Sequence, residues 1–131
     1  MLKIPENLKG GAKVDVTHAN TATAFCSGGV EVFATPALVA LMEKAAYDSL
    51  LPYLEEGEST VGVDISVKHI AATPVGCTVR AESVLTEQNG RRLTFTVTAF
   101  DDYGRVGEAV HTRALIGMDR FFAGIDKRKN G

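Results

Sequence analysis

TPALVALMEKAAYDSLLPYL, residues 35–54, reads as one helix, and the phase of that helix decides the fold. At about 100° per residue, Lys44 and Asp48 share one side and can pair there, four residues apart. Apolar residues occupy most of the remaining surface, as in a helix largely buried by whatever wraps it. Thr35 is expected at N-cap and Pro36 at N1, where a missing N–H is no loss. Pro52 and the acidic stretch EEGES (55–59) end the segment. Glu43 falls nearly opposite the Lys44/Asp48 side, in a row with Val39, Ala46 and Leu50. A charge buried there costs several kcal/mol unless something compensates it, which makes Glu43 the first candidate functional residue.

The flanking sequence is β. AKVDVTHANTATA (12–24) has the alternation and β-branched content of a first strand, and the loop CSGG (26–29) separates it from VEVFA (30–34). After the helix, TVGVDISVKHI (60–70) alternates, with Val61, Val63, Ile65 and Val67 on one face and Gly62, Asp64, Ser66 and Lys68 on the other. ATPVG (72–76) is a turn. CTVRAESVLTEQ (77–88) and RRLTFTVTAF (91–100) flank Asn89-Gly90, a strong hairpin signal. DDYGR (101–105) turns into a last strand, VGEAVHTRALIGM (106–118). The tail DRFFAGIDKRKNG (119–131) is expected to add a short turn of helix before a mobile basic end. With no repeat or linker, residues 1–131 form a single α+β domain. One long buried helix is wrapped by a mostly antiparallel five- to six-stranded sheet, the hot-dog architecture.

Bulk properties exclude several classes. Of 131 residues, 45% are hydrophobic and 23% charged, with net charge −2, which describes a globular chain rather than a disordered one or a nucleic-acid binder. The N-terminus has no apolar signal region and no apolar run approaches membrane-spanning length, so the cytoplasm is the expected compartment, without a membrane partner. Cys26 and Cys77 lie far apart, and His18, His69 and His111 are equally dispersed. No metal site or disulfide framework is indicated, and free, mostly buried thiols are expected.

Strand parity supplies a second candidate. His69 continues the odd-numbered apolar face of 60–70 and so points toward the helix that carries Glu43, because a one-residue slip would flip its neighbours as well. A histidine at a strand end is ordinarily a hydrogen-bonded core residue, and a mid-helix glutamate is ordinarily solvated. Glu43 could also pair with Arg113 or Lys68 of a second copy. Two independent periodicities converging on one interior nevertheless favour a Glu43/His69 pocket. Thr35 adds a hydroxyl at the helix N-terminus, where the N–H groups of Ala37 and Leu38 could face a developing oxyanion. Thr35 and Glu43 are roughly 12 Å apart along an ideal helix, so they would touch different parts of a substrate. No nucleophile elbow, P-loop or dinucleotide fingerprint is present.

Residues 32–79, VFATPALVALMEKAAYDSLLPYLEEGEST followed by VGVDISVKHIAATPVGCTV, closely resemble the fluoroacetyl-CoA thioesterase family and its hot-dog relatives. The likeness continues through NGRRLTFTVTAFDD (89–102) and HTRALI (111–116). Its FAT, LMExA and HxAATP motifs are specific in combination. The resemblance implies an acyl-CoA thioesterase acting on a short-chain or small acyl group. It implies a catalytic Thr35, Glu43 and His69, with Gly62, Arg113 and Phe33 about the substrate. It further implies a homodimer or higher homo-oligomer with the site near the interface, and no cofactor beyond the coenzyme A of the substrate. Lys68, Arg91, Arg92 or the KRK tail (127–129) would meet the CoA phosphates. The family's lid phenylalanines are not matched: Cys26 and Gly29 stand where those aromatics are expected, with Phe25 and Phe33 displaced nearby. That argues against fluoroacetyl as the acyl group. A non-catalytic acyl-CoA sensing module and an enoyl-thioester hydratase or dehydratase are the alternatives, and acyl carrier protein could replace CoA.

Overall fold

The computed structural model describes residues 1–131. Five strands, β1 (Lys9–Asp15), β2 (Glu58–His69), β3 (Thr78–Asn89), β4 (Arg92–Asp101) and β5 (Gly104–Gly117), form one antiparallel sheet in the order β1-β3-β4-β5-β2. The helix α1 (Thr35–Leu50) lies against one face of this sheet, and α2 (Met118–Asn130) follows β5. The expected order of elements and the α+β class are both found.

The core is the seam between α1 and the sheet. Leu38, Met42, Ala45, Ala46 and Leu50 are fully buried from the helix, and Val79, Leu93, Phe95, Val97 and Ala99 from the strands. Burying each large aliphatic or aromatic side chain contributes about 1.5–3 kcal/mol, so this seam orients α1. The helix approaches closely at Gly10, where a Cβ would overlap the Ala45 carbonyl oxygen and the Ser49 side chain.

Four local expectations change. The first strand runs over Lys9–Asp15 rather than 12–24, because Thr17 and Asn20 form a capping box that starts a 3₁₀ turn at His18–Asn20 and ends the extended chain. The β3–β4 turn is Gly90–Arg91, since Asn89 still pairs with Arg92. The tail is a thirteen-residue helix instead of a short turn, with basic Lys127, Arg128 and Lys129 at its C-terminal end, where the helix dipole favours them. Its Met118, Phe122 and Ile125 remain exposed.

The fourth change lies in β2. Gly62 pairs with Arg113 and Asp64 with Thr112, so Val63 is an extra, unpaired residue. This bulge reverses parity midway along the strand. Thr60 and Gly62 face α1 before it, and Ile65 and Val67 pack on the core after it. Val63, expected inside, is exposed instead.

α1 is covered on one side only. Ala46 and Leu50 are buried as expected, but Val39 and Glu43 in the same row lie on a half-open flank, with the Glu43 side chain 40% exposed. No helix is long and apolar enough to cross a membrane.

Candidate active site

Two polar clusters sit along α1. The first is at its N-terminus. Ala34, not Thr35, occupies the N-cap position, and Thr35 is the first helical residue. The Thr35 hydroxyl therefore makes no cap hydrogen bond; a 2.7 Å hydrogen bond instead joins its Oγ1 to His69 Nδ1. The chain is held there by Phe33 N–H donating to Thr73 O and Ala34 N–H donating to Asn20 O. The Leu38 N–H donates to Ala34 O as the first helical bond, so it is not free to meet a ligand. Ala37 N–H makes no backbone hydrogen bond outside the helix and remains an available donor of the first turn.

His69 is partly buried at the end of β2, and its Nε2 is enclosed without a hydrogen-bond partner. Burial pushes its pKa below the ordinary histidine value, with the nearby Ala71 backbone opposing that effect. The imidazole is thereby held toward its neutral form, able to take up a proton. An open cleft of about 300 Å³, bounded by Thr35, His69, Ile70, Ser27 and Phe33, lies over this pair. Phe33 is itself 1% exposed and forms a wall of the cleft from within the core. On its other side an apolar cleft of about 320 Å³ opens beneath Phe25 and against Ala37 and Leu41.

The second cluster surrounds Glu43, two turns along. Arg113 projects inward from β5 with its side chain 7% exposed, and its Nη1 lies 3.6 Å from Glu43 Oε2. Arg113 Nε donates to Thr60 Oγ1 at 2.9 Å and Nη2 to Thr60 O at 3.0 Å. The guanidinium also lies over the Tyr47 ring, 5.5 Å from its centroid. Burial lowers the Arg113 pKa, and the Glu43 carboxylate opposes that effect. Gly62 faces this carboxylate: a Cβ there would stand 2.6 Å from Glu43 Oε2. The glycine is thus the residue that leaves the acid room.

Thr35 and His69 are brought together, and so are Glu43, Gly62 and Arg113. The expected Glu43/His69 partnership is not formed within one chain, where Glu43 bonds to Arg113 and His69 to Thr35. The arginine once considered as a second copy's contribution comes from the same chain. Parity had put Gly62 on the outer face; the bulge at Val63 turns it inward. His111 and Thr60 were missed altogether, although His111 and Arg113, two apart on one strand, share a face by simple alternation. Of the candidate phosphate ligands, Arg91 is engaged with the Leu115 carbonyl at 3.1 Å, and Lys68 and Arg92 are exposed.

A single long helix packed on one antiparallel sheet is the hot-dog arrangement, here with a carboxylate–arginine pair and a hydroxyl–imidazole pair set along the helix. The sequence profile described as "Fluoroacetyl-CoA-specific thioesterase" matches residues 16–119. The chain belongs to that family. It is 43% identical over 98 residues to the fluoroacetyl-CoA thioesterase of Streptantibioticus cattleyicolor, covering 75% of this chain and 70% of that protein. A crystal structure of a variant fluoroacetyl-CoA-specific thioesterase with fluoroacetate and CoA superposes with a TM-score of 0.85 at 35% identity, over 90% of this chain and 99% of that one. A Thermus thermophilus thioesterase-superfamily protein superposes with a TM-score of 0.92 at 26% identity, over 99% and 96% of the two chains.

Proposed function

We propose that this protein hydrolyses a short-chain or small acyl-CoA to the free acid and CoA. The single observation that carries this reading is the Glu43 carboxylate, half-exposed, fixed by Arg113 and left room by Gly62. Glu43 draws a proton from a water that attacks the thioester carbonyl, or attacks that carbonyl itself to give an acyl-Glu43 anhydride that water then opens, freeing the acid and restoring the carboxylate. As the C–O bond forms and the C–S bond breaks, the departing thiolate takes a proton that His69, neutral at rest, has first accepted from the attacking water or from solvent. The Thr35 hydroxyl and the Ala37 N–H stabilise the carbonyl oxygen at the positive end of the α1 dipole. No cofactor takes part, since the CoA moiety belongs to the substrate, and a cytoplasmic location goes with this reading. The solved complex of a relative with fluoroacetate and CoA supports CoA as the carrier, while Cys26 and Gly29 in the loop before α1 argue for an acyl group other than fluoroacetyl.

The functional unit is proposed to be a homodimer. β2 pairs with β5 along one edge only, leaving twelve residues of strand with an unpaired edge, which is a template for a second strand. Pairing of two copies along β2 would bring one copy's Glu43 cluster toward the other's Thr35–His69 pair.

The test is incubation with a panel of acyl-CoAs while free thiol is followed. Thiol release by the native protein and its loss in Glu43→Gln, with circular dichroism unchanged, are expected; full turnover in that variant would sink the assignment. Ligand-induced stabilisation without thiol release would point instead to an acyl-CoA sensor, and hydration of an enoyl-CoA to a hydratase.

A further inference from the structure

We propose that His111 is a positioning residue for Glu43, acting through Arg113. This rests on the reading of Glu43 as the catalytic carboxylate. His111 is 1% exposed and cannot reach a substrate. Its ring nitrogens are nonetheless both engaged, and in a fixed sense. Nδ1 lies 2.8 Å from the Asp64 carbonyl, which can only accept, so Nδ1 carries the proton. Nε2 is then a lone pair and accepts from Arg113 Nη1 at 3.2 Å. That same Nη1 is the nitrogen facing Glu43 Oε2.

The bulge in β2 builds this chain of contacts. Asp64 is the first residue after the unpaired Val63, and its carbonyl meets the inward-facing His111 across from β5. Thr60, before the bulge, accepts from the other two nitrogens of the same guanidinium. Arg113 is thereby held by two acceptors on β2 and one on β5, with its remaining reach directed at α1. A buried guanidinium is tolerated only when its donors find partners, and here those partners also set its direction.

The histidine must be neutral to serve. A second ring proton would set N–H against N–H and one positive charge against another. Burial keeps the His111 pKa below the ordinary histidine value, opposed by the Asp64 carbonyl and assisted by the Arg113 charge. The groups around the ring are Arg113 on β5, the Asp64 carbonyl and carboxylate on β2, Glu43 on α1 and the Phe95 ring on β4, 6.4 Å away; both carboxylates oppose the effect of burial. A glutamine amide offers the same donor and acceptor without titrating, whereas leucine offers neither.

Initial-rate kinetics on the acyl-CoA that the native protein turns over best, with His111→Leu, His111→Gln and Glu43→Gln side by side, test the proposal. His111→Leu should lower kcat by about tenfold or more with KM within about threefold, and His111→Gln should restore kcat to within about threefold of native. An unaltered kcat in His111→Leu, or equal losses in both variants, overturns the positioning role. Should His111→Leu not fold, Thr60→Val removes a different acceptor of the same guanidinium and Thr60→Ser restores it; native kcat in Thr60→Val overturns the proposal equally. Full turnover in Glu43→Gln removes the catalytic reading and the proposal with it. An inactive Glu43→Gln beside an unimpaired His111→Leu removes only the proposal.

Discussion

Glu43 and Gly62 form a pair in which one residue is defined by what the other lacks. The carboxylate oxygen occupies space that any side chain at 62 would claim. Because that oxygen ends a flexible side chain, Gly62→Ala should displace the acid without disturbing the fold. Stability should change by under about 1 kcal/mol, while thiol release falls by about tenfold or more, since small misplacement of a reacting group is costly. A Gly62→Ala protein with native kcat would mean that the position of Glu43 is not critical. Thr35 makes the complementary point. Standing one residue inside the helix rather than at its cap, it has its hydroxyl free of the backbone and available to His69.

At the scale of elements, β2 carries most of the site. Its bulge turns Gly62 toward Glu43 and offers the Asp64 carbonyl to His111, while its last residue, His69, meets Thr35. The strand is also one of the two edges of the sheet, the other being the shorter β1. If two copies pair along it and share a site, Glu43→Gln and His69→Ala proteins, each inactive alone, should regain turnover when unfolded together and refolded as a mixture. One site in a mixed dimer would then hold both native residues. Light scattering should give about twice the chain mass at micromolar concentration. A mixture as inactive as its parents would show that each chain completes its own site.

For the whole molecule, two partly or fully buried histidines tie stability to pH. Burial lowers the pKa of both His69 and His111 below the ordinary value of 6.5. Between the lowered values and 6.5 the unfolded chain therefore binds more protons than the folded one, and stability rises with pH through that window. Urea midpoints measured from about pH 8 down to pH 5 should hold steady near neutrality and decline below about 6.5. The decline should be shallower in His111→Gln. A flat profile in the native protein would show that neither imidazole is held neutral by the fold.

The sequence by itself determined the element order, the single helix under an antiparallel sheet and the residues Thr35, Glu43 and His69 as candidates. Glu43 and His69 follow from periodicity, which is local: 3.6 residues per turn along 35–54 and alternation along 65–69 express burial on one face, while Thr35 follows from the helix-start pattern. The family motifs added Gly62 and Arg113. Tertiary structure decided the rest. The bulge at Val63 is marked in the sequence only by the neighbouring Gly62, and β5 pairs on both sides of it with one residue fewer. Once the strand slips there, parity reverses, Gly62 turns inward and a backbone carbonyl becomes free for His111. Which side of Glu43 meets Arg113, and that His69 meets Thr35 instead of Glu43, depend on where residues distant in sequence come to rest. No periodicity within one segment encodes a meeting between two.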